Sequence, residues 1–212
     1  MIIGLSGYAT SGQDTVADFI IKNSSRPWVV KKFSGKLKEI ATLLTGIDIN
    51  KFEDQEFKDS LMPLNWVETS IEGTTKHYKL MKVRDFLQKL GTEAIRDGLH
   101  KNAWVNALMS DYVINKEHWS DIANGRDVGD GYPSWIITDC RFPNEFDAIK
   151  KSGGLVIRVI RDGINPVNSH PSETALDGFE FDFTIDNNGS LDDLERNVNF
   201  ILNQVNGSRS GI

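Results

Sequence analysis

The sequence predicts an α/β fold, a three-layer sandwich in which a five-stranded parallel sheet is covered by helices on both faces. Short apolar runs typical of buried strands occur at residues 2–6, 135–138 and 155–160, a further short strand candidate occurs at 29–33, and 181–185 alternates with the period of a strand. Helical patterns separate these runs, and strands separated by helices are typical of parallel sheets. The runs fall near the two ends of the chain, so we expect a sheet interrupted by a helical insert.

Helices are predicted where apolar residues recur every three or four positions. The clearest case is residues 82–99, and Gly46 marks the end of an earlier helix. Residues 46–80 have a weaker pattern and are expected to be loops with one short helix, and residues 120–133 are expected to be a loop. The predicted helices cover 14–22, 37–44, 82–99, 104–115, 144–152 and 191–205.

Composition narrows the class of protein. The chain has 212 residues, of which 39% are hydrophobic, and its net charge is -6, so it can form a core and has no overall basic character for a nucleic acid polymer. Cys140 is the one cysteine, which excludes an intramolecular disulfide and a cysteine-rich zinc site. No apolar run approaches the roughly 18 residues of a membrane span. Because residues 1–6 also lack the basic region of a signal peptide, we expect a cytoplasmic protein without a membrane partner.

A glycine-containing loop follows the first predicted strand. Gly7 and Gly12 have the four-residue spacing of a phosphate-binding loop, and a helix is predicted directly after them. Such glycines let the backbone curl so that successive N–H groups face phosphate oxygens, and the helix N-terminus adds its dipole. The alternative is an ordinary strand-to-helix turn. The residues expected to bind phosphate are Gly7, Ala9, Ser11, Gly12, Gln13, Asp14 and Thr15.

Gln13 occupies the position at which phosphate-binding loops carry a lysine. Glutamine keeps a hydrogen-bond donor but lacks the positive charge that lysine brings to the β- and γ-phosphates. Losing a charge-assisted contact in a water-poor site costs on the order of 1.5–3 kcal/mol. If that contact tightens only in the transition state, the rate falls about 10- to 100-fold. The carboxylate of Asp14, just after the loop, is a candidate ligand of Mg²⁺.

Several segments outside the glycine loop match the motifs of one protein family. Together with the loop, they make the chain resemble the P-loop deoxynucleoside monophosphate kinases of bacteriophages, relatives of adenylate and dephospho-coenzyme A kinases. Loops of that family usually end Gly-Lys-Asp-Thr, so Gln13 is a departure that affects catalysis more than fold or nucleotide binding. The resemblance covers most of the chain, least firmly over 46–80 and 115–133. Its most specific segments are Leu87-Gln88-x2-Gly91-Thr92-Glu93 and Asp139-x-Arg141-Phe142-Pro143-Asn144-Glu145.

The resemblance implies an organisation and a reaction. A P-loop core would comprise about residues 1–33 and 134–212, with a helical substrate lobe over about 34–118 and a short lid over about 161–178. The reaction would transfer the γ-phosphoryl group of ATP, with Mg²⁺, to a (deoxy)nucleoside 5′-monophosphate. Its partners would be nucleotide substrates, and the protein would be a monomer or homodimer, in the host cytoplasm if it is phage-encoded.

The resemblance also implies roles for charged residues outside the loop. Asp139 would lie near Mg²⁺ or the attacking phosphate and Arg141 on a phosphate; the alternative is a turn aspartate with an arginine partner. Arg161 would reach the transferred phosphate from the lid; the alternative is a loop charge. The expected acceptor-binding residues, each with a solvated surface position as its alternative, are Lys38, Arg84, Gln88 and Arg96. The expected catalytic residues are Gln13, Asp139, Arg141 and Arg161, and the expected metal ligands are Asp14 and Asp139.

Two other functions stay open from the sequence. The chain is either a kinase or a nucleotide-binding protein with little or no kinase activity, because Gln13 replaces the loop lysine. A P-loop kinase for another acceptor, such as dephospho-coenzyme A, is the second alternative. Binding without turnover would mark the first, and saturation by that acceptor would mark the second.

Overall fold

The computed structural model describes residues 1–72, 74–113, 132–165 and 171–207. The described residues form two compact units, one drawn from Met1–Phe33 and Leu108–Ile212 and the other from Ser34–Ala107. Most of the loop predicted at 120–133, the end of the helix predicted at 104–115 and the middle of the predicted lid lie outside the described residues.

The elements are numbered in chain order. The strands are β1 (Ile2–Ser6), β2 (Trp28–Lys31), β3 (Glu68–Glu72), β4 (Thr75–Lys79), β5 (Ser134–Ile137), β6 (Leu155–Ile160) and β7 (Phe183–Asp186). The α-helices are α1 (Gln13–Asn23), α2 (Gly35–Thr45), α3 (Gln55–Asp59), α4 (Val83–Gln88), α5 (Ala103–Met109), α6 (Pro143–Lys151), α7 (Pro171–Thr174) and α8 (Leu191–Gly207). Short 3₁₀ helices cover Ile49–Glu53 and Leu64–Trp66, and a π-helix covers Lys89–Asp97.

The first unit is built on a five-stranded sheet of order β2-β5-β1-β6-β7, and every neighbouring pair is parallel. One face packs its apolar side chains, such as Leu5 and Ile157, against α1 and α8. On the other face, Ile149 of α6 lies so close to β1 that a Cβ at Gly4 would be 2.6 Å from its Cδ1. Helices therefore cover both faces, and the predicted three-layer α/β fold is confirmed.

Leu5 tests the contribution of this core. It is fully buried on the central strand, so we expect Leu5→Ala to lower the free energy of unfolding by about 2–5 kcal/mol. Val29, on the edge strand β2, is 47% exposed, and Val29→Ala is the matched control with a change of about 0.5 kcal/mol. Urea unfolding measures both. Equal losses at the two positions would contradict the assignment of the core.

The second unit has its own small core around Phe52, which is fully buried among side chains of α2 and α4 such as Ala41 and Val83. It also contains an antiparallel hairpin, in which Ile71 on β3 pairs with Lys76 on β4. The prediction of loops with one short helix over 46–80, within an almost purely helical insert, is therefore wrong about these two strands, although the short helix α3 is present. Every described residue of the two strands is exposed, so the hairpin lacks the apolar–polar alternation by which half-buried strands are detected.

The helix predicted over 82–99 is two different helices. It is α-helical to Gln88 and continues as a π-helix from Lys89 to Asp97. The carbonyl of Gly91, inside the π-helix, accepts a hydrogen bond from the indole Nε1 of Trp104 at 2.8 Å. Apolar spacing of three and four residues does not separate the two helix types over so few turns. The next predicted helix, to about residue 115, ends at Met109.

Candidate functional site

The glycine loop joins β1 to α1 by a backbone that most residues avoid. Thr10 has φ 68° and Gly12 φ 110°, both in the left-handed region that favours glycine. The N–H of Ser11 donates to the carbonyl of Tyr8 at 3.1 Å, which closes the turn. No described side chain caps the N-terminus of α1. The first N–H groups of this helix therefore have the arrangement that binds anions.

Two contacts fix the loop on the carboxyl ends of β6 and β7. The Ser11 hydroxyl donates to the carbonyl of Val159 at 3.2 Å, and the amide Nδ2 of Asn187 donates to the carbonyl of Ser11 at 2.8 Å. A Cβ at Gly12 would lie 2.4 Å from Asn187 Nδ2, and one at Gly7 would lie 2.7 Å from the Val159 oxygen. Asn187 was not among the predicted site residues, although its place directly after a strand could have indicated it.

Gln13 is half-buried, and its side chain folds back over the loop. Its Nε2 donates to the carbonyl of Tyr8 at 3.1 Å, and its Oε1 lies 3.2 Å from the Ser11 hydroxyl, sharing that group's one hydrogen with the Val159 carbonyl. The side chain thus stabilises the loop through neutral hydrogen bonds and brings no positive charge to it.

Two candidate metal ligands, Asp14 and Asp139, contact neighbouring residues at the end of β2. Asp14 is exposed on the first turn of α1, and its Oδ1 lies 3.6 Å from Lys32 Nζ. Asp139 follows β5 and is half-buried, and its Oδ1 accepts from the N–H of Phe33 at 2.7 Å. Both carboxylates therefore lie beyond the sheet's carboxyl edge, where ligands of open α/β sheets bind. Lys32 is a neighbour that the sequence did not indicate.

Arg141 is held by a buried acid. Its Nη1 donates to Glu173 Oε1 at 2.9 Å, and only 7% of the Glu173 side chain is exposed. The second oxygen of Glu173, Oε2, is buried without a hydrogen-bond partner among the described residues. The backbone N–H of Arg141 donates to Glu145 in the first turn of α6. Arg141 therefore has an acid partner from α7, and its role at a phosphate stays a prediction.

Arg161 lies exposed just after β6, and its role stays a prediction. Arg158, three residues earlier, is engaged closely. Its guanidinium donates to Ser6 Oγ at 3.1 Å and to Asp177 Oδ1 at 2.9 Å, and it lies 4.9 Å from the centre of the Tyr8 ring. The Tyr8 hydroxyl donates to the other oxygen of Asp177 at 2.9 Å. Burial and the Asp177 carboxylate raise the pKa of the Tyr8 hydroxyl.

The expected acceptor-binding residues lie in the second unit. Lys38 is buried in α2 and pairs with Glu53 at 2.5 Å, so a solvated surface position is wrong for it. Arg96 is likewise buried, on the π-helix. Arg84 pairs with Asp59 at 2.9 Å, and Gln88 is half-buried at the end of α4. Their roles in acceptor binding stay predictions.

A family model described as deoxynucleotide monophosphate kinase matches residues 36–198 of the chain. The chain belongs to the deoxynucleotide monophosphate kinase family. The matched residues begin after the glycine loop, so membership does not depend on Gln13. The resemblance predicted from the sequence is confirmed, and with it the reaction class, transfer of a phosphoryl group to a deoxynucleoside monophosphate.

Relatives of similar length support this membership. The deoxynucleotide monophosphate kinase of Enterobacteria phage T4 is 26% identical, over 91% of this chain and 95% of the relative. A putative deoxynucleotide monophosphate kinase of Acanthamoeba polyphaga mimivirus is 27% identical over 91% of each chain. The deoxynucleotide monophosphate kinase of Escherichia phage RB69 is 24% identical, over 95% of this chain and 99% of the relative. These names do not favour a non-catalytic binding protein or a kinase for dephospho-coenzyme A.

Cys140 is next to Asp139 in the sequence, but its thiol is not a nucleophile. It is buried, and its N–H donates to the carbonyl of Leu5 at 3.1 Å. Burial, with a smaller effect from the carboxylates of Glu145 and Asp139, raises the pKa of the thiol well above its ordinary value. The thiol is therefore protonated at neutral pH, whereas the nucleophilic form is the thiolate.

Across the described residues, the structure has no helix that is both long enough and apolar enough to cross a bilayer.

Proposed function

We propose that the chain transfers the γ-phosphoryl group of ATP to a deoxynucleoside 5′-monophosphate, giving the diphosphate and ADP. The observation that carries this proposal is the loop between β1 and α1, whose left-handed backbone and uncapped helix N-terminus suit a polyphosphate, in a chain of this kinase family. Asn187 and Val159 fix the loop before the nucleotide arrives, so little reorganisation is needed on binding.

The reaction needs no covalent enzyme intermediate. An oxygen of the acceptor phosphate attacks the γ-phosphorus in line, the new P–O bond forms, and the bond to the β-phosphate oxygen breaks as ADP leaves. The loop N–H groups and the α1 N-terminus stabilise the negative charge spread over the β- and γ-phosphates. Gln13 contributes its amide once Nε2 turns from the Tyr8 carbonyl to a phosphate oxygen.

Asp14 and Asp139 would hold Mg²⁺. The described residues contain no group of three His, Cys, Asp or Glu side chains that could hold a metal unaided. Phosphoryl-transfer enzymes nevertheless bind Mg²⁺ through one or two carboxylates plus substrate phosphates and water, so the exposed Asp14 and half-buried Asp139 fit this need. When bound, the ion would neutralise charge on the phosphates.

Arg141 and Arg161 would supply further positive charge to the transferred group. Arg141 is preorganised by Glu173, whose buried carboxylate keeps the guanidinium close to the end of β5. Arg161 is exposed and begins the polar segment 161–178, which we propose to be the lid. A lid that closes over the site would exclude water, which otherwise accepts the phosphoryl group in place of the second nucleotide.

The unit Ser34–Ala107 would bind the acceptor. Arg96 is the best placed of its candidates, because a guanidinium fork suits a phosphate and π-helical segments often occur at functional sites. Lys38, Arg84 and Gln88 would contact the same nucleotide. Lys38 and Arg84 are each held by an acid, so binding would exchange that acid for the acceptor's phosphate or require both to share it.

The proposal is tested by ADP release from Mg-ATP with each of dAMP, dCMP, dGMP and dTMP as acceptor. We expect turnover with at least one of them and none with dephospho-coenzyme A. Saturation by dephospho-coenzyme A with indifference to all four would contradict the proposed acceptor. Binding of ATP without ADP release from any of them would mean that the chain binds nucleotides without catalysis.

A further inference from the structure

The glycine loop of this chain lacks the cation that its reaction uses. In phosphate-binding loops of this kind a lysine reaches the β- and γ-phosphates, and Gln13 holds that position here. An inference about a replacement cation rests on the proposed function. Arg158 and Lys32 each place a positive charge against the loop or the first turn of α1.

Arg158 is already committed to structure. Its guanidinium donates to Ser6 and Asp177, and it lies 4.9 Å and 5.5 Å from the ring centres of Tyr8 and Phe181. Its side chain is only 13% exposed. Turning towards a nucleotide would break these contacts together, so Arg158 serves to hold the neighbouring segments in place.

Lys32 lies beside the first turn of α1. Its Nζ lies 3.6 Å from Asp14 Oδ1, close enough for an ion pair but beyond the usual length of a hydrogen bond. The Asp14 side chain is 75% exposed and that of Lys32 28% exposed, so the ammonium lies at the boundary with solvent. Asp14 is the residue after Gln13. The ammonium therefore lies beside the first turn of α1, on a four-carbon stem that lets it move towards a phosphate.

The backbone on each side of Lys32 is fixed at the carboxyl edge of the sheet. The N–H of Phe33 donates to Asp139 Oδ1 at 2.7 Å, and the carbonyl of Lys31 accepts from the N–H of Thr138 at 3.2 Å. Both partners follow β5, the strand next to β1. The base of the Lys32 side chain is thus anchored among the residues that the proposed function assigns to Mg²⁺.

We propose that Lys32 is a catalytic cation of this kinase, contacting the β- and γ-phosphates in place of the absent loop lysine and in addition to the arginines of the proposed function. Without nucleotide, the ammonium lies within ion-pair distance of Asp14. Lys32 gains no bond and loses no proton during transfer. Its contribution is a charge-assisted contact that strengthens as negative charge builds up on the transferred group.

Lys32→Met is the direct test, since it keeps most of the stem and removes the charge. We expect kcat to fall about 10- to 100-fold and the affinity for an ATP analogue with an uncleavable β–γ bridge to fall as well. Lys32→Arg keeps the positive charge, so it should retain much of both kcat and the affinity for the analogue. Lys31→Met is the matched control, because Lys31 is the adjacent lysine and its Nζ lies 5.2 Å from the Trp135 ring centre; we expect a change within about threefold.

The Gln13→Lys background separates catalysis from structure. If Lys32 replaces the loop lysine, Lys32→Met lowers kcat by about threefold or less in the Gln13→Lys background. The lysine at position 13 then already supplies the positive charge at the phosphates. An equal loss in both backgrounds, or no loss in the parent, would overturn the inference while leaving the proposed function intact. No turnover by either parent or Gln13→Lys with any deoxynucleoside monophosphate would overturn both. Urea unfolding of each variant confirms that it is folded.

Discussion

Asp139→Asn is expected to lower kcat by about 10²- to 10³-fold while leaving the protein folded. The substitution removes the negative charge proposed to hold Mg²⁺. The asparagine oxygen can still accept the hydrogen bond that Asp139 Oδ1 accepts from the N–H of Phe33. The fold therefore keeps its contact between the ends of β2 and β5, and the loss falls on catalysis.

The measurement is kcat for ADP release as a function of Mg²⁺ concentration. Asp186→Asn is the matched control, because Asp186 lies at the carboxyl end of β7 in the same sheet and its Oδ1 also accepts from a backbone N–H, that of Asn188. We expect the control to stay within about threefold of the parent. Equal losses at the two positions would show that a carboxylate at this edge matters for structure and not for the metal.

Gly12→Ala is expected to weaken binding of an ATP analogue by about 10- to 100-fold, because strain of about 1–3 kcal/mol falls on the loop itself. Alanine at φ 110° is strained, and its Cβ would lie 2.4 Å from Asn187 Nδ2. Relief of this clash breaks the hydrogen bond from Asn187 to the Ser11 carbonyl. The loop then loses its attachment to the end of β7.

The control for Gly12 is Gly153→Ala. Gly153 also has a positive φ, 70°, but nothing lies within 4 Å of the Cβ that alanine would add there. This variant should lose stability through backbone strain and keep its affinity for the analogue. Equilibrium binding and urea unfolding distinguish the two variants. Unchanged affinity of Gly12→Ala would mean that the loop does not bind the phosphates.

The sheet and the glycine loop could be predicted because their signals are local. Strands such as 2–6 and 155–160 are mainly apolar runs, and the loop needs glycines at fixed spacing between a strand and a helix. The hairpin of β3 and β4 is exposed on both faces and so has no apolar pattern. The π-helix shares the spacing of an α-helix over two turns.

The contacts around the candidate site could not be predicted, because they join residues far apart in the chain. Arg141 and Glu173 are 32 positions apart, and Asn187 is 176 positions from the loop residue Ser11 that it anchors. Residue types indicate that an arginine or an amide has a polar partner, but not which one. The identity of the partner follows from the order of strands in the sheet, which places the ends of β1, β6 and β7 side by side.

The buried thiol of Cys140 makes the chain as it stands a reporter of local opening. With one cysteine in the chain, any modification by a thiol reagent reports on a single position, next to Asp139 at the end of β5. The thiol reacts only after the local structure opens, which exposes it to solvent and lets it lose its proton. The labelling rate therefore reports how often this edge of the sheet opens. Slower labelling with nucleotide present would measure, without a dye or a substitution, how far ligand binding tightens this edge.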